Sequence, residues 1–356
     1  MTWFGVCYNK LRNDRQAFFN HILMIGKTKL RQSGAIEVTE ELEPVVARYD
    51  LAVVIVNYNT LELLRQCLAS VFASQCNFRW QVFVVDNGSQ DGSAAMLKAE
   101  FEKQHPNLSL IVSPINGGFA YGNNLALRQL YPVASPIGDQ LQAQYVLLLN
   151  PDTVVPPDAF QKMYDFMQSR PDAGIVGAKL VKGNGELDLA CRRSFPTPAV
   201  SLWRMTGLSR IFPKNRLFAR YNLTFLDPDT LNEVDSVCGA FMWLRAEAIQ
   251  EAGILDEAFF MYGEDLDWAF RVKQKGFKVF YNPAATVIHY KGESSKQRST
   301  GAIINFYQAM YIFYQKHYAR DTFFLLNWLI IVGIFAKAAL ALARNALRPK
   351  ASRRVS

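Results

Sequence analysis

Short apolar runs alternate with helical segments in the hundred residues that follow Leu51. Four runs predict strands: LAVVIVNYN (51–59), WQVFVVDNGSQDGS (80–93), LSLIVS (108–113) and AQYVLLLN (143–150). Between them, LELLRQCLASVFAS (61–74), AAMLKAEFEKQ (94–104) and GGFAYGNNLALRQL (117–130) predict helices. Because strands that alternate with helices form a mostly parallel sheet with helices on its faces, this order predicts an α/β fold.

Polar side chains follow the ends of several of these predicted strands. Asn57 and Asn59 end the first, Asp86 ends the second, and Asp152 follows the run LLLN. Ligands of open α/β sheets bind outside the carboxyl ends of the strands, so one cleft can collect these side chains. The dinucleotide fingerprint GxGxxG and the phosphate loop GxxxxGK[ST] are both missing from the sequence, so a nucleotide must be held in another way.

Composition limits the class of protein and its partners. The 356 residues are 50% apolar and 20% charged, which predicts one main domain with appendages rather than disorder. The formal charge of +8 favours anionic partners: nucleotides, phospholipid or nucleic acid. The five cysteines are odd in number and contain no CxxC pair, which indicates a reducing compartment without a zinc site.

Both ends of the chain are basic and apolar. Residues 1–48 are predicted to be a basic, amphipathic segment and linker that lacks a secretion signal and either lies on a membrane or docks on the main domain. Near the other end, 323–343 is long enough to cross a bilayer but contains Asn327 and Lys337. A spanning helix with its basic tail in the cytosol places the main domain outside, so an in-plane helix on the cytosolic leaflet is favoured; spanning and soluble packing stay open.

An ordered set of motifs resembles family 2 glycosyltransferases, more narrowly the rhamnosyltransferase-like branch of bacterial surface-glycan assembly. The set is VVIVNYNTLELLRQCLASV, VVDNGSQDGS, INGGFAYGNN, LLLNPDTVV, VCGAFMWLR and FFMYGEDLDWAFRVKQKGFKVFYNP, which spans roughly 50–300. The resemblance implies a GT-A fold, a Rossmann-like sheet flanked by helices, with a nucleotide-binding half (49–155) and an acceptor half (156–315). Residues 316–356 then form a membrane-associated helix with a basic tail.

The resemblance also implies a divalent cation, Mg²⁺ or Mn²⁺, held by Asp152 against the leaving diphosphate. Family members often show Asp-x-Asp here, whereas this chain has Asn150-Pro151-Asp152. His289 is a candidate additional ligand, and Lys291 and Ser294 of the same HxxGxS segment are candidate phosphate contacts. The structural alternatives are that Asp152 shapes a turn and caps the helix near Pro157, and that a lone histidine is part of the core.

By resemblance, Asp86 contacts the base or ribose, although Asp-Asn-Gly-Ser is also a natural turn. The other candidate nucleotide-sugar contacts are amides and glycines of strand ends and of the NGGFAYGNN segment: Asn57, Asn59, Asn116, Gly117, Gly118, Asn123 and Asn124. Turn and helix-start roles are the alternatives for this set.

The acceptor side is expected in the second half of the domain. An inverting enzyme needs a general base, and by resemblance the Glu264-Asp265 pair occupies that position, with Asp265 as the base and Glu264 as runner-up or positioning residue. Acidic residues in a first helical turn also interact favourably with the helix dipole, which is the alternative. Arg192 and Arg193 are candidate ligands of an acceptor phosphate or solvated surface residues, and the Gly239 backbone is a candidate lining of the sugar site.

Together these features predict an inverting transferase that moves one sugar, L-rhamnose from dTDP-rhamnose, to a polyprenyl-diphosphate-linked saccharide or glycan acceptor. Its place is the cytoplasmic face of the bacterial inner membrane, bound peripherally or monotopically to an anionic surface. A UDP-hexose donor and a non-catalytic nucleotide-sugar-binding membrane protein are the alternatives. The QxxRW motif of processive synthases is missing from the sequence. The basic residues concentrate in the apolar segments at the two ends of the chain, where anionic lipid explains them as well as nucleic acid does.

Overall fold

The computed structural model describes residues 48–131, 142–290 and 299–347. The predicted N-terminal segment before Arg48, the candidate phosphate contacts Lys291 and Ser294, and the basic tail after Leu347 lie outside these described residues.

One sheet of nine strands runs through the described residues. The strands are β1 (Tyr49–Asn57), β2 (Trp80–Asn87), β3 (Leu108–Ser113), β4 (Ala143–Leu149), β5 (Thr153–Val154), β6 (Ala173–Val181), β7 (Asn232–Val234), β8 (Phe241–Arg245) and β9 (Lys278–His289). The helices are α1 (Leu61–Phe72), α2 (Ser93–Met96, continued by a π-turn over Leu97–Phe101), α3 (Phe119–Leu130), α4 (Ala159–Ser169), α5 (Pro198–Met205), α6 (Leu208–Ile211), α7 (Ala246–Ala252), α8 (Glu264–Gln274), α9 (Ser299–His317) and α10 (Phe324–Leu347).

The apolar runs of the sequence become the centre of the core. Strand β1 is buried from Leu51 to Asn57, and the last five residues of β4 are buried as well, because helices cover both faces of this part of the sheet. Helix α1 buries Leu64, Cys67, Leu68 and Val71, the helical-period residues of the sequence.

The strand order is β3-β2-β1-β4-β8-β6-β9-β5, with β7 paired to β9. Six strands share one direction, because β1 is parallel to β2 and β4, β2 to β3, and β6 to β9, while β8 is antiparallel to both β4 and β6. The prediction of a mostly parallel α/β sheet is therefore confirmed. Three strands, β5, β7 and β8, run the opposite way.

The reversed strand β8 matters for the site. The carboxyl ends of the parallel strands meet at one edge of the sheet, and β8 begins at that same edge. The residues just before β8 therefore lie among the strand ends. There the backbone N–H of Asn150 donates to the Ala240 carbonyl at 3.0 Å.

Helix α9 is fastened to α8 by a buried charge cluster. The Asp267 carboxylate is fully buried and lies 2.8 Å from Arg271 Nε, 2.8 Å from Lys316 Nζ and 2.7 Å from His317 Nε2. Burial alone raises the pKa of Asp267, but the hydrogen bond with His317 and the charges of Arg271 and Lys316 lower it to about 2. A second, apolar contact joins the same helices, since Phe313 of α9 packs with Phe259 and Leu266.

Helices α9 and α10 form an antiparallel hairpin. Asn345 donates to Thr300 at 3.1 Å near one end, and the rings of Phe335 and Tyr311 lie 5.5 Å apart nearer the other. Within the described residues α10 is the one helix long and apolar enough to cross a membrane: its most apolar window has a mean hydropathy of 2.1 and is 6% buried.

We expect Asp267→Asn to lower the free energy of unfolding at pH 7 by about 3–5 kcal/mol, because it leaves buried cations without their carboxylate. The pKa of Asp267 is lowered on folding, so its contribution is present above the unfolded value of 3.8 and is lost as the pH falls towards about 2. Chemical denaturation of both proteins across this range measures the difference, which should shrink with acid. The exposed Asp158→Asn is the matched control and should change stability little; equal losses in both variants would contradict the assignment.

Candidate active site

The first corner of the site joins the ends of β1 and β2. The Asn57 amide donates to Asp86 Oδ1 and to Ser89 Oγ, both at 3.0 Å, and the Ser89 N–H donates to Asp86 Oδ2 at 3.3 Å. Asn59 adopts a left-handed φ of 53° and donates its N–H to the same Ser89 hydroxyl at 3.0 Å. The structure thus brings together three of the predicted nucleotide contacts, and the Asp-Asn-Gly-Ser turn proposed as their alternative is present at the same time.

A second corner is the glycine turn before α3. Asn87 donates to Asn116 Oδ1 at 3.1 Å and to the Gly118 carbonyl at 3.0 Å, and Asn87 Oδ1 accepts from the Gly117 N–H at 3.3 Å. At Gly118, where φ is 95°, an added Cβ would lie 2.3 Å from the Phe260 carbonyl oxygen. Only glycine fits this close approach, which joins the nucleotide half to the acceptor half.

Two asparagines of α3 are occupied by the protein itself. Asn123 donates to the Phe119 carbonyl one turn earlier at 2.9 Å. Asn124 donates to the Leu255 carbonyl at 2.9 Å and to Glu257 at 2.8 Å, and it accepts from the Leu255 N–H at 3.2 Å. These contacts give Asn124 a structural role that fixes α3 to the 255–257 loop, and we remove it from the set of candidate nucleotide contacts.

The third corner contains two buried oxygen atoms without a hydrogen-bond donor among the described residues, Asn150 Oδ1 and Asp152 Oδ1. His289, at the end of β9, places Nε2 3.3 Å from Asp152 Oδ1 without forming a hydrogen bond of normal geometry, and its Nδ1 lies 3.2 Å from Asp188 Oδ2. Asp152 does not cap α4, since the residue before that helix is Asp158. Its candidate role as a ligand therefore stays, and that of helix cap does not.

This donor set suits a hard divalent cation that arrives with a diphosphate. Burial lowers the pKa of His289, but the carboxylates of Asp152 and Asp188 outweigh it and raise the pKa to about 9, so the corner attracts positive charge. Carboxylate and amide oxygens are preferred ligands of Mg²⁺ and Mn²⁺, and imidazole is accepted by Mn²⁺. Among the described residues no group of three or more His, Cys, Asp or Glu side chains is arranged to hold a metal alone. The substrate's phosphate oxygens would have to supply further ligands.

The fourth corner is the start of α8. Asp265 Oδ2 accepts from Arg193 Nη2 at 2.6 Å and from the Gly239 N–H at 3.1 Å, and the same guanidinium donates to the Val237 carbonyl at 2.7 Å. Both side chains are about nine-tenths buried. The negative charge of Asp265 raises the pKa of Arg193 against the opposing effect of burial, so the pair is ionic. Arg193 is thus a partner of the candidate base rather than a free ligand for phosphate.

Glu264 differs from its neighbour. Its side chain is buried, and Oε2 has no hydrogen-bond donor among the described residues. Burial and the adjacent Asp265 raise the pKa of Glu264 to about 8. Two consecutive left-handed residues, Tyr262 (φ 71°) and Gly263 (φ 83°), turn the chain sharply just before this pair. Strained backbone at such a position is typical of functional sites.

The Arg192 guanidinium is held by groups of the protein itself. It donates to the carbonyl groups of Leu226 and Asp227 at 2.7 Å and 2.6 Å and stacks 5.1 Å from the centre of the Tyr281 ring. The side chain is buried rather than solvated, so neither the phosphate role nor the surface role predicted for it holds.

The corners are adjacent through one dipeptide. Gly239 contacts Asp265, and Ala240 contacts Asn150, so the base corner and the cation corner share a peptide. Sequence reasoning missed Asn87, Ser89 and Asp188. The first two stand inside the quoted VVDNGSQDGS motif and carried a signal, whereas Asp188 in GELDLA carried none, because only the fold brings it to His289.

The family of the chain follows from comparison with known proteins. Residues 52–252 match the model of glycosyl transferase family 2, which is more than half of the 356 residues. The chain belongs to glycosyl transferase family 2. The family and the enzyme class predicted from the motifs, a glycosyltransferase, are confirmed.

Two curated relatives of this family 2 enzyme carry rhamnosyltransferase names. The N-acetylglucosaminyl-diphospho-decaprenol L-rhamnosyltransferase of Mycobacterium tuberculosis is 26% identical over 306 residues, which is 86% of this chain and 96% of that protein. Rhamnosyltransferase WbbL of Escherichia coli is 24% identical over 242 residues, which is 67% of this chain and 82% of that protein.

The fold comparison agrees with the family. The structure of the mannosyltransferase PcManGT from Pyrobaculum calidifontis, in complex with GDP-Man and Mn²⁺, is similar with a TM-score of 0.51 and 18% identity, and the match covers 85% of this chain and 76% of that chain. The GT-A fold predicted from the sequence is therefore confirmed.

The structural role of Asn124 can be tested directly. We expect Asn124→Leu to lower the free energy of unfolding by about 1–3 kcal/mol, because buried polar groups around Leu255 lose their partner. The dissociation constant of the donor nucleotide, measured by calorimetry on folded protein, should stay within about twofold. Asn57→Leu is the matched comparison: it should also lower stability, but it should weaken nucleotide binding about tenfold or more, because Asp86 loses the amide that holds it in place. Weak nucleotide binding in Asn124→Leu would return that residue to the site.

Proposed function

We propose that the enzyme is an inverting rhamnosyltransferase that moves L-rhamnose from dTDP-rhamnose to a polyprenyl-diphosphate-linked saccharide. The rhamnosyltransferase names of both relatives support the sugar, and the decaprenol-linked acceptor in the name of the mycobacterial relative supports the acceptor class. The observation that supports the chemistry is the dipeptide Gly239-Ala240, which contacts the buried Asp265 carboxylate on one side and the backbone N–H of Asn150 on the other, at the turn that carries the two oxygen atoms without donors.

In this proposal the first two corners hold the nucleotide. Asp86 binds the base or ribose, assisted by Asn59. Asn57 holds Asp86 in place, because its buried amide is bonded to Asp86, Ser89 and Thr60. The Gly117-Gly118 backbone lets the sugar-diphosphate approach the sheet edge closely, with Asn116 held in place by Asn87.

Asp152 and Asn150 would hold Mg²⁺ or Mn²⁺, and His289 would join them as a ligand once it has released its proton. The cation, when bound, neutralises the negative charge that develops on the leaving diphosphate. Asp188 orients the imidazole through Nδ1 and leaves Nε2 directed at Asp152.

Asp265 is the general base. The acceptor hydroxyl transfers its proton to Asp265 while its oxygen forms a bond to the anomeric carbon, and the bond to the diphosphate oxygen breaks on the opposite face. Arg193 and the Gly239 N–H fix the carboxylate without using all of its lone pairs. Glu264, neutral below its pKa of about 8, donates a hydrogen bond that positions the acceptor.

The proposed location is the cytoplasmic face of the inner membrane, where α10 lies in the plane of the bilayer. Lys337, near the middle of α10, donates to the Met205 carbonyl at the end of α5 at 2.6 Å. The middle of the apolar helix is thus in contact with the main domain. This contact supports a helix that lies in the plane of the bilayer over one that crosses it, because a crossing helix would carry Lys337 away from the domain.

The donor and the cation are tested together. With dTDP-, UDP- and GDP-sugars and membranes that supply lipid-linked acceptor, we expect nucleotide release from dTDP-rhamnose that depends on Mg²⁺ or Mn²⁺. Asp152→Asn should lower this rate about 100-fold or more, because the leaving diphosphate loses its counter-charge.

Asp158→Asn is the control and should keep full activity, since Asp158 is exposed before α4. Electron paramagnetic resonance measures the binding of Mn²⁺ in the presence of dTDP. This binding should be weakened by Asp152→Asn and not by Asp158→Asn. Nucleotide release from a UDP-sugar instead of dTDP-rhamnose would make that UDP-sugar the donor. Full activity of Asp152→Asn would contradict the proposed cation site.

The two carboxylates of α8 should separate kinetically. On folded protein, Asp265→Asn should lower kcat about 10²–10⁴-fold and leave the donor dissociation constant nearly unchanged, because general-base assistance is removed. The variant also leaves Arg193 without its carboxylate and should be less stable than the wild type. Glu264→Gln keeps a neutral donor and should retain most of the activity. In the wild-type enzyme the acceptor KM should rise as the pH passes about 8 and Glu264 ionises, whereas Glu264→Gln should lack this rise. The reverse ranking of the two variants would make Glu264 the base.

A further inference from the structure

The segment that follows β6 and its short 3₁₀ turn carries five basic residues and no acidic residue between Pro198 and Leu226. All five are exposed: Arg204, Arg210, Lys214, Arg216 and Arg220. None of them forms an ion pair with a described residue, although Arg204 and Arg216 lie over the rings of Tyr221 and Phe225. No described carboxylate neutralises the five cations, which favours an anionic partner.

Large apolar side chains are exposed within the same segment: Leu202 (50%), Ile211 (66%), Phe212 (46%) and Leu217 (56%). Single exposed apolar residues are ordinary, but four within sixteen positions and interleaved with cations are typical of a surface that lies on a bilayer. We call residues 202–220 the 202–220 surface.

The 202–220 surface begins next to α10. Met205 accepts the hydrogen bond from Lys337, and a Cβ added at Gly333 of α10 would lie 3.9 Å from the Met205 side chain. The exposed apolar side chains of α10 include Phe324, Trp328 and Phe335. The two exposed apolar elements are thus continuous at Met205.

We propose that the 202–220 surface is a second membrane-contact element, which binds anionic phospholipid headgroups through its five cations and inserts Ile211 and Phe212 below them. Basic residues near an anionic leaflet are attracted to it, and aromatic and aliphatic side chains beside them enter the boundary between headgroups and acyl chains. The element belongs to the acceptor half of the domain, so it fixes the orientation of the domain as well as its attachment. This inference does not depend on the proposed sugar, cation or base.

The test must report on the segment itself, because α10 can hold the chain on vesicles alone. We would reconstitute the full chain, with Cys7, Cys76 and Cys238 replaced by Ser, into vesicles of phosphatidylcholine with or without phosphatidylglycerol. A nitroxide at Phe212→Cys then reports collisions with a water-soluble nickel complex and with oxygen.

On anionic vesicles we expect the nickel collision rate at position 212 to fall about fivefold relative to detergent solution, while the oxygen rate rises. A nitroxide at Ile115→Cys is the control, because Ile115 is also exposed (59%, against 46% for Phe212) but precedes α3 in the nucleotide half, and it should stay accessible to nickel. High salt and the triple change Arg210→Glu, Lys214→Glu, Arg216→Glu should each return position 212 to water. Lys98→Glu, Lys103→Glu, Lys275→Glu changes the net charge equally at exposed sites elsewhere and should not.

Nickel access at position 212 that is the same on anionic vesicles and in detergent would overturn the proposal. Shielding that appears without lipid would also overturn it and would assign the surface to a protein partner or a second copy of the chain. Donor binding by the triple variant should remain unchanged, which separates failure of this surface from misfolding and from failure of the proposed chemistry.

Discussion

The compensation of buried negative charge at the start of α8 organises the second half of the molecule. Asp265 is neutralised by Arg193, which comes from the segment after β6, and Asp267 by Arg271 of its own helix and by Lys316 and His317 of α9. A buried carboxylate without its cation is costly, so each pair requires the element that carries its partner. The first turn of α8 thereby carries the candidate base. It also fixes two other elements, the segment that contains Arg193 and the α9–α10 hairpin.

Glu264 is the exception that gives this turn a chemical use. It shares the burial of its neighbours but has no cation, so its pKa is raised to about 8, whereas the pKa of Asp267 is lowered to about 2. Three carboxyl groups within four residues thus have three environments: Asp265 is paired with Arg193, Glu264 has its pKa raised by burial and by Asp265, and Asp267 joins α8 to α9. Because their environments give neighbouring carboxyl groups different pKa values, a single helix can supply different proton-transfer and hydrogen-bonding roles.

The features that depend on contiguous residues could be predicted from the sequence. The strand–helix order, the buried face of α1, the GT-A fold and the family were all predicted, because periodicity and ordered motifs lie in contiguous residues. The sequence did not predict contacts made across the sheet. The partners Arg193 and Asp265 are 72 residues apart, and Asp188 and His289 are 101 apart. The second pair depends on the pairing of β6 with β9, and the first on the contact of Arg193 with the segment before β8, neither of which a local pattern contains. The same long-range contacts changed the roles expected of Arg192 and Asn124.

The arrangement of α9 and α10 constrains how a lipid-linked acceptor can reach the base. Helix α9 is bound to α8 by Asp267, and α10 contacts α9 at Phe335 and Asn345 and Met205 through Lys337. If α10 lies in a bilayer as proposed, these contacts connect the membrane to the helix that carries Asp265. The acceptor proposed above, anchored by a polyprenyl chain, would then approach Asp265 from the side on which α10 lies. The α9–α10 hairpin would act as a spacer between the bilayer and the carboxylate.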